Sequence, residues 1–271
     1  MTLDLENDAD STFDQLVSKY VKNKYHTSIV VPAYNEENRI GPFLRALNDT
    51  LPENTEIIVV FDGNDNTPEI VRSFGERMKL IQFSRRLGKG GAILEGFKRA
   101  KGEVVGFVDA DGAIPASEVL RLSSLVTERN SCVIGSRWVQ SSRIGIKEPT
   151  LNVLAGRVFH YFVYLILGLK VKDTQCGIKF FHKSILQALC KKVTISNRMI
   201  DIAILYHVKL MKRSIQEIGI EWNHAYGSKL PIWKVMPLMF ATLLGLRLIH
   251  SGRFGNKFFA LSKINSEISE Y

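Results

Sequence analysis

Four short, continuous apolar runs, each cut off by polar or charged residues, constrain this chain more than anything else in it. They cover residues 27–31, 57–61, 80–83 and 104–108. Beyond them stand Pro32 with Asn35-Glu36, Asp62-Gly63, Arg85-Arg86 and Asp109-Ala110-Asp111-Gly112. Runs of this length without polar alternation read as strands buried on both faces. The stretches between them carry helical stripes (Ile40, Phe43, Leu44, Leu47, Leu51; then Ile70, Val71, Phe74; then residues 90–100), so the connections are crossovers. The implied class is α/β, a mostly parallel, Rossmann-like sheet with helices on both faces. Ligands of such sheets bind beyond the carboxyl ends of the strands. An Asp-Gly turn explains any one of these ends, but not four that open on one crevice.

The fourth end is the most informative. A buried strand cannot keep two unpaired carboxylates inside, so Asp109 and Asp111 must emerge where the strand stops. Side chains two apart share a face, and both can reach one cation. Hard oxygen ligands beside a diphosphate suit Mg²⁺ or Mn²⁺.

The chain has 271 residues, room for one large α/β domain or a domain with an appendage, and a formal net charge of +9. That excess points to an anionic partner, and it is uneven. Residues 229–263 carry six Lys/Arg and no acid, whereas the first fourteen residues carry five acids and no base. Cys132, Cys176 and Cys190 form no CxxC pair, which fits a reducing cytosol. Basic residues are not interleaved with aromatics, so a nucleic-acid partner is not expected. No signal peptide opens the chain and no run reaches the length of a membrane span. Two apolar stretches, 153–169 and 232–249, have basic borders and read as buried or interfacial helices or a homo-oligomer contact. Residues 1–26 read as a polar leader with one amphipathic piece (Phe13, Leu16, Val17, Tyr20, Val21). Residues 120–126 read as a helix, 132–135 as a strand, and 215–222 as one late strand. The expected division is a leader (1–26), a catalytic domain (27–223) and an amphipathic membrane-surface segment (224–271).

Two motifs fail. The run Leu87-Gly88-Lys89-Gly90-Gly91 lacks the upstream Gly and the Ser/Thr of a phosphate loop. The run Asp62-Gly63-Asn64-Asp65-Asn66 begins like a calcium loop, but Thr67 and Ser73 stand where Gly and Glu are needed.

Taken together, Val31-Pro32-Ala33-Tyr34-Asn35-Glu36-Glu37, Val60-Phe61-Asp62-Gly63, Arg86-Leu87-Gly88-Lys89-Gly90, Asp109-Ala110-Asp111-Gly112 and Gly135-Ser136-Arg137 resemble the family 2 glycosyltransferases, nucleotide-sugar enzymes of the GT-A fold. Downstream, Asp173-Thr174-Gln175-Cys176-Gly177-Ile178-Lys179-Phe180-Phe181 and Gly227-Ser228-Lys229 resemble the polyprenyl-phosphate hexosyltransferases. The match is closest to the dolichyl-phosphate β-glucosyltransferase pattern. The chain departs from that group in two ways. Asp201 is kept, but Ala203 stands where a second acid is usual, and the membrane span that opens the eukaryotic enzymes is missing, which suggests a peripheral, prokaryote-like form.

The resemblance implies an inverting, metal-dependent transferase. It would move a hexose from UDP-glucose or GDP-mannose to dolichyl or polyprenyl phosphate, working peripherally on the cytoplasmic face of the membrane. The implied nucleotide set is Pro32, Tyr34, Glu36, Asp62, Arg86, Lys89 and Ala110, with Glu36 and Asp62 accepting from base and ribose. Asp109 and Asp111 would hold the metal, and Arg137, Arg143 and Lys179 the acceptor phosphate. Arg86 and Lys89 read equally well as a solvated basic turn. A lipid phosphate is already an anion and needs no strong general base. An enzyme acting on a glycan hydroxyl would need one, and Asp173 or Asp201 would be the candidates. A dolichyl-phosphate mannose synthase and an inactive nucleotide-sugar scaffold are the other readings.

Overall fold

A computed structural model describes residues 25–145, 150–193, 195–223 and 232–249, with side chains at all of these except 150–152 and 232–235. The amphipathic leader, Gly227-Ser228-Lys229 and the basic residues beyond 249 lie outside the described residues.

A seven-stranded sheet runs β3-β2-β1-β4-β7-β5-β8. Its strands are β1 (Thr27–Ala33), β2 (Thr55–Phe61), β3 (Met78–Gln82), β4 (Val104–Val108), β5 (Cys132–Ser136), β7 (Ile178–His182) and β8 (Gln216–Gly219). All pairings are parallel except those of β7, which runs antiparallel to both β4 and β5. The two-residue strands β6 (Arg143–Ile144) and β9 (Glu221–Trp222) pair separately. Side chains alternate between two cores. Val30, Ile58, Val60, Val105 and Phe107 face one side, under helices Gly88–Arg99, Lys183–Lys192 and Ile200–Leu210. Ile29, Val31, Ile57, Val59, Phe61 and Val108 face the other, under helices Ile40–Thr50 and Ala116–Ser124. This is why the strands read as unbroken apolar runs.

Three sequence expectations are corrected. First, β1 continues through Pro32 to Ala33 instead of stopping at Val31. Ala33 O points to β2, where it accepts from Asp62 N–H, so the neighbouring Pro32 nitrogen points towards β4. The β1–β4 pairing has already ended at Val30, and the missing donor leaves nothing unpaired. Second, the late strand is broken at Gly219-Ile220. A Cβ on Gly219 would lie 2.3 Å from Ser141 Oγ and 2.7 Å from Ser142 N, because the 136–143 segment crosses there. Third, β7 was not expected. It is buried on both sides and carries Lys179 as its second residue, so neither alternation nor a clean apolar run marks it.

Helices Thr150–Leu167 and Ile232–Ile249 pack on each other, with Phe162 and Phe240 edge to face at 5.3 Å. Phe159, Val163, Leu167, Leu243 and Leu246 close the joint core. The opposite side of Thr150–Leu167 leaves Leu154, Val158, Tyr161 and Leu165 exposed. Among the described residues no helix is long and apolar enough to cross a membrane.

The β4–β7 contact depends on Gly106. A Cβ there would meet the Phe180 ring at 2.1 Å and Lys179 O at 2.6 Å. Gly106→Ala is expected to lower unfolding free energy by about 1–3 kcal/mol through overpacking. Gly156→Ala, whose Cβ meets nothing within 4 Å, should be neutral or stabilising by up to about 1 kcal/mol. Urea midpoints that rank the two variants the other way would refute this account of the sheet centre.

Candidate active site

The rim above β1 and β2 is assembled by side chains that hold neighbouring loops. Asn35 adopts the left-handed conformation, φ 53°, and its Oδ1 accepts from Asn64 N–H at 2.9 Å. A Cβ on Gly63 would fall 2.4 Å from that oxygen. Asp65 accepts from Glu37 N–H and Thr67 N–H, Glu37 from Asn66 N–H, and Thr67 Oγ1 from Glu36 N–H. The run that begins like a calcium loop is therefore a clamp between two rim loops.

This clamp sets Glu36 in the cleft, where Arg39 donates to both its oxygens at 2.8 Å. Burial raises the Glu36 pKa and Arg39 opposes it, while Asp111 and Asp109 add to the rise. Asp62 sits deeper, its side chain 1% exposed. It accepts from Arg86 Nη1 at 2.6 Å and from the amides of Leu87 and Gly88 at 2.7 and 2.9 Å. Arg86 in turn lies 3.6 Å over the Tyr34 ring. At this point the cleft presents a stacked Tyr–Arg pair held from below by Asp62.

At the end of β4, Asp109 N–H donates to Gly177 O at 3.0 Å. Its carboxylate lies so close over Gly177 that a Cβ there would meet Oδ2 at 2.2 Å. Asp111 starts a turn closed by Ala113 N–H on its Oδ1, with Gly112 at φ 70°. Lys89 reaches both Asp109 Oδ1, at 2.8 Å, and Asp201 Oδ2, at 3.1 Å. Asp201 also holds Lys179 at 2.5 Å. The result is an alternating chain, Asp109–Lys89–Asp201–Lys179, running from the cleft into the core. Burial works against the Lys89 charge, but Asp109 and Asp201 outweigh it and keep the ammonium above its ordinary pKa. Burial raises Asp109, with Asp201 and Asp111 adding to the rise and Lys89 opposing it. Burial also raises Asp201, but Lys179 and Lys89 more than reverse it.

Pro32, Tyr34, Glu36, Asp62, Arg86, Lys89, Asp109, Ala110 and Asp111 all line one cavity of about 400 Å³, together with Arg39 and Arg198. The other expected residues lie elsewhere. Lys179 was expected to grip an acceptor phosphate, yet it is fully buried, its ammonium held by Asp201 and by Cys176 O at 2.7 Å. No ligand reaches it, because it compensates Asp201 inside the core. Asp173 is locked by Arg137 through the guanidinium, at 2.8 and 3.1 Å, and the backbone amide, at 3.0 Å. Burial raises its pKa, and Arg137 more than offsets this, leaving it below its ordinary value. Arg137 and Asp173 border a smaller cavity of about 50 Å³ with Trp138, Arg157 and His160. Arg143 is exposed on β6 and lines neither cavity. Ala203 is fully buried in helix Ile200–Leu210.

Among the described residues no cluster of three or more His, Cys, Asp or Glu forms a metal cage. Two carboxylates at an open cleft suit a cation that keeps several waters and completes its shell from phosphate, as Mg²⁺ and Mn²⁺ do. Sequence reasoning missed Arg39 and Arg198. Arg39 stands three residues after Glu36, the spacing of a helical ion pair. Arg198 had no local signal.

Residues 28–190 match the family model for glycosyl transferase family 2. Among curated proteins, the chain is 30% identical to a dolichyl-phosphate beta-glucosyltransferase of Trichomonas vaginalis, over 78% of this chain and 70% of that protein. It is 30% identical to the Dictyostelium discoideum enzyme of that name, over 92% and 85%, and 29% identical to the Homo sapiens one, over 82% and 74%. The fold is that of glucosyl-3-phosphoglycerate synthase from Mycobacterium tuberculosis, solved with UDP, at TM-score 0.64 and 17% identity over 88% of this chain and 84% of that one. A mannosyltransferase from Pyrobaculum calidifontis, solved with GDP-Man and Mn²⁺, shares it at TM-score 0.57 and 18% identity, over 96% and 78%.

The buried chain predicts how stability responds to Asp201. The folded protein holds this carboxyl below its ordinary 3.8. Its contribution is therefore complete above that value and is lost as pH falls through the lower folded pKa. Asp201→Asn removes this acid limb and strands the Lys179 ammonium in the core, at a cost of about 3–5 kcal/mol near neutral pH. Adding Lys179→Met should recover much of the loss. Urea titrations at several pH values check both, and an Asp201→Asn protein as stable as the parent would refute the pairing.

Proposed function

The chain belongs to glycosyl transferase family 2, and we propose that it moves glucose from a nucleoside diphosphate sugar to dolichyl phosphate or a similar polyprenyl phosphate, with inversion at the anomeric carbon. The observation that carries this reading is the single cleft at the carboxyl ends of β1, β2 and β4. Glu36, the Tyr34–Arg86 stack, Asp109 and Asp111 all face it. Its volume of about 400 Å³ lies in the range of small-molecule sites. The glucose assignment is supported by the relatives described above.

Donor binding follows from the cleft's chemistry. Tyr34 offers an aromatic face for a base, and Glu36 accepts from base or ribose. Asp109 and Asp111 are the residues that would hold Mg²⁺ or Mn²⁺, which supplies charge stabilisation for the departing nucleoside diphosphate when bound. Lys89 and Gly177 fix the Asp109 carboxylate in place, the ammonium from one side and the close backbone from the other.

The acceptor side favours a phosphate over a glycan hydroxyl. A hydroxyl acceptor requires a base, and both candidates, Asp173 and Asp201, are buried in ion pairs with depressed pKa values. A phosphate oxygen attacks without losing a proton. In-line displacement of an α-linked donor then gives a β-linked lipid phosphate sugar.

A lipid acceptor also accounts for the exposed stripe Leu154, Val158, Tyr161 and Leu165. Arg157, exposed on the same helix next to Val158, adds a cation to this face. Apolar side chains flanked by cations suit the headgroup zone of an anionic bilayer. We place the protein peripherally, on the cytoplasmic side of the membrane.

Incubation with radiolabelled UDP-glucose, Mn²⁺ and dolichyl phosphate should transfer label into chloroform-extractable product, and GDP-mannose run in parallel tests the sugar. Label confined to water-soluble glycan would support the hydroxyl reading, and transfer from no donor an inactive scaffold. Asp111→Ala should abolish turnover, and Asp111→Asn, whose amide oxygen keeps the turn to Ala113 N–H, should do so with the thermal midpoint unchanged. Leu154→Glu/Val158→Glu/Leu165→Glu should release the protein from phosphatidylserine vesicles in co-sedimentation. Unchanged sedimentation, or a shift to a smaller oligomer instead, would assign the stripe to self-association.

A further inference from the structure

The glycine run Leu87-Gly88-Lys89-Gly90-Gly91 cannot work as a phosphate cradle, and the reason reveals what replaces it. Its amides are taken: Ser196 O accepts from Gly90 N–H at 2.7 Å and from Gly91 N–H at 3.1 Å. The glycines permit that approach. A Cβ on Gly88 would lie 2.7 Å from Ser196 O, and one on Gly90 2.5 Å from Ile195 O. The helix start therefore holds the 195–197 backbone against itself, and Asn197 Oδ1 accepts from Met199 N–H at 2.8 Å to begin the next helix. Arg198 sits between these two anchored points and lines the 400 Å³ cleft.

Three of the cleft's four cations are already matched by carboxylates. Arg39 is on Glu36, Arg86 on Asp62, and Lys89 between Asp109 and Asp201. Arg198 is exposed and makes no hydrogen bond or ion pair among the described residues. Desolvation in the cleft lowers its pKa and the neighbouring Arg86 adds to the fall, while Asp109, Asp201 and Asp111 oppose it, so a further anion is what its charge lacks. A ligand carrying two phosphates brings more negative charge than a cation shared between Asp109 and Asp111 can offset. The cleft's uncommitted guanidinium is the group placed to meet it.

We infer that Arg198 is a diphosphate-binding residue of this cleft, delivered by the 195–198 segment that the glycine run anchors. This rests on the nucleoside diphosphate reading above. A guanidinium presents paired donors to phosphate oxygens. It would bind the donor's diphosphate and stabilise the charge that collects there as the sugar leaves.

Wild type, Arg198→Gln and Arg198→Lys are titrated with UDP and with phosphate-free uridine in Mn²⁺ buffer. Calorimetry serves the tight arm and ligand-observed NMR the weak one, with GDP and guanosine in parallel. Arg198→Gln should weaken the diphosphate by roughly tenfold or more, the loss of a charge-assisted contact. The nucleoside should change by less than about twofold, and Arg198→Lys should restore part of the loss. The exposed position leaves the thermal midpoint of both variants unchanged. Diphosphate affinity unaffected by Arg198→Gln, or diphosphate and nucleoside weakened alike, would overturn the assignment while leaving the nucleotide reading standing. Failure of wild type to bind either diphosphate would overturn both.

Discussion

The alternating charges Asp109, Lys89, Asp201 and Lys179 are the interaction on which the rest of this site depends. Two carboxylates side by side at a strand end repel each other, and Asp109 is enclosed further by Asp201 and Glu36. Lys89 makes that concentration of negative charge tolerable before any ligand arrives. Lys89 is itself withdrawn from water, so it needs Asp201, and Asp201 needs Lys179, whose ammonium is entirely buried. Removing one member leaves the next uncompensated, which is why such chains are costly to break. The chain also ties together elements far apart in sequence: the end of β4 and the starts of β7 and of helices Gly88–Arg99 and Ile200–Leu210.

Backbone proximity does the complementary work. Gly177 lets β7 pass under the Asp109 carboxylate, Gly106 lets Phe180 cross β4, and Gly88 and Gly90 admit the 195–197 carbonyls. At each place a methyl group would separate the partners. The antiparallel strand β7 follows from this. It is inserted between β4 and β5, delivers Lys179 beneath the cleft and brings Gly177 to its edge. One strand thereby supplies the deepest charge of the chain and the surface against which Asp109 rests.

The cleft residues of the first half were legible in the sequence because they share a local grammar. An apolar strand that stops at a polar group puts that group on the rim, and parallel strands put all such rims on one side. Tyr34, Glu36, Asp62, Arg86, Lys89, Asp109 and Asp111 all obey it. Lys179 does not, because a lysine inside an otherwise apolar strand has the same spelling whether it faces a ligand or a buried carboxylate. Asp173 and Arg137 were legible as charged residues but not as a pair 36 positions apart. Arg198 was illegible for a different reason. Its position is set by a carbonyl–glycine contact between segments about a hundred residues apart, and such a contact leaves no periodicity. The broken late strand is another case, since the crossing of residues 141–142 over Gly219 is invisible in the alternation of 215–222.

The acceptor side can be taken one step further through the helix Thr150–Leu167. Val153, Gly156, Arg157 and His160 border the small cavity that also holds Arg137 and Trp138. Leu154, Val158, Tyr161 and Leu165 stand exposed one step round the same helix. A soluble anion would need only the first face, and a bilayer anchor only the second. A polyprenyl phosphate needs both, since its charged end must leave the headgroup layer while its chain stays on an apolar surface. The two faces meet along one rigid element, and Arg157, stacked 4.2 Å over Trp138, stands at their border.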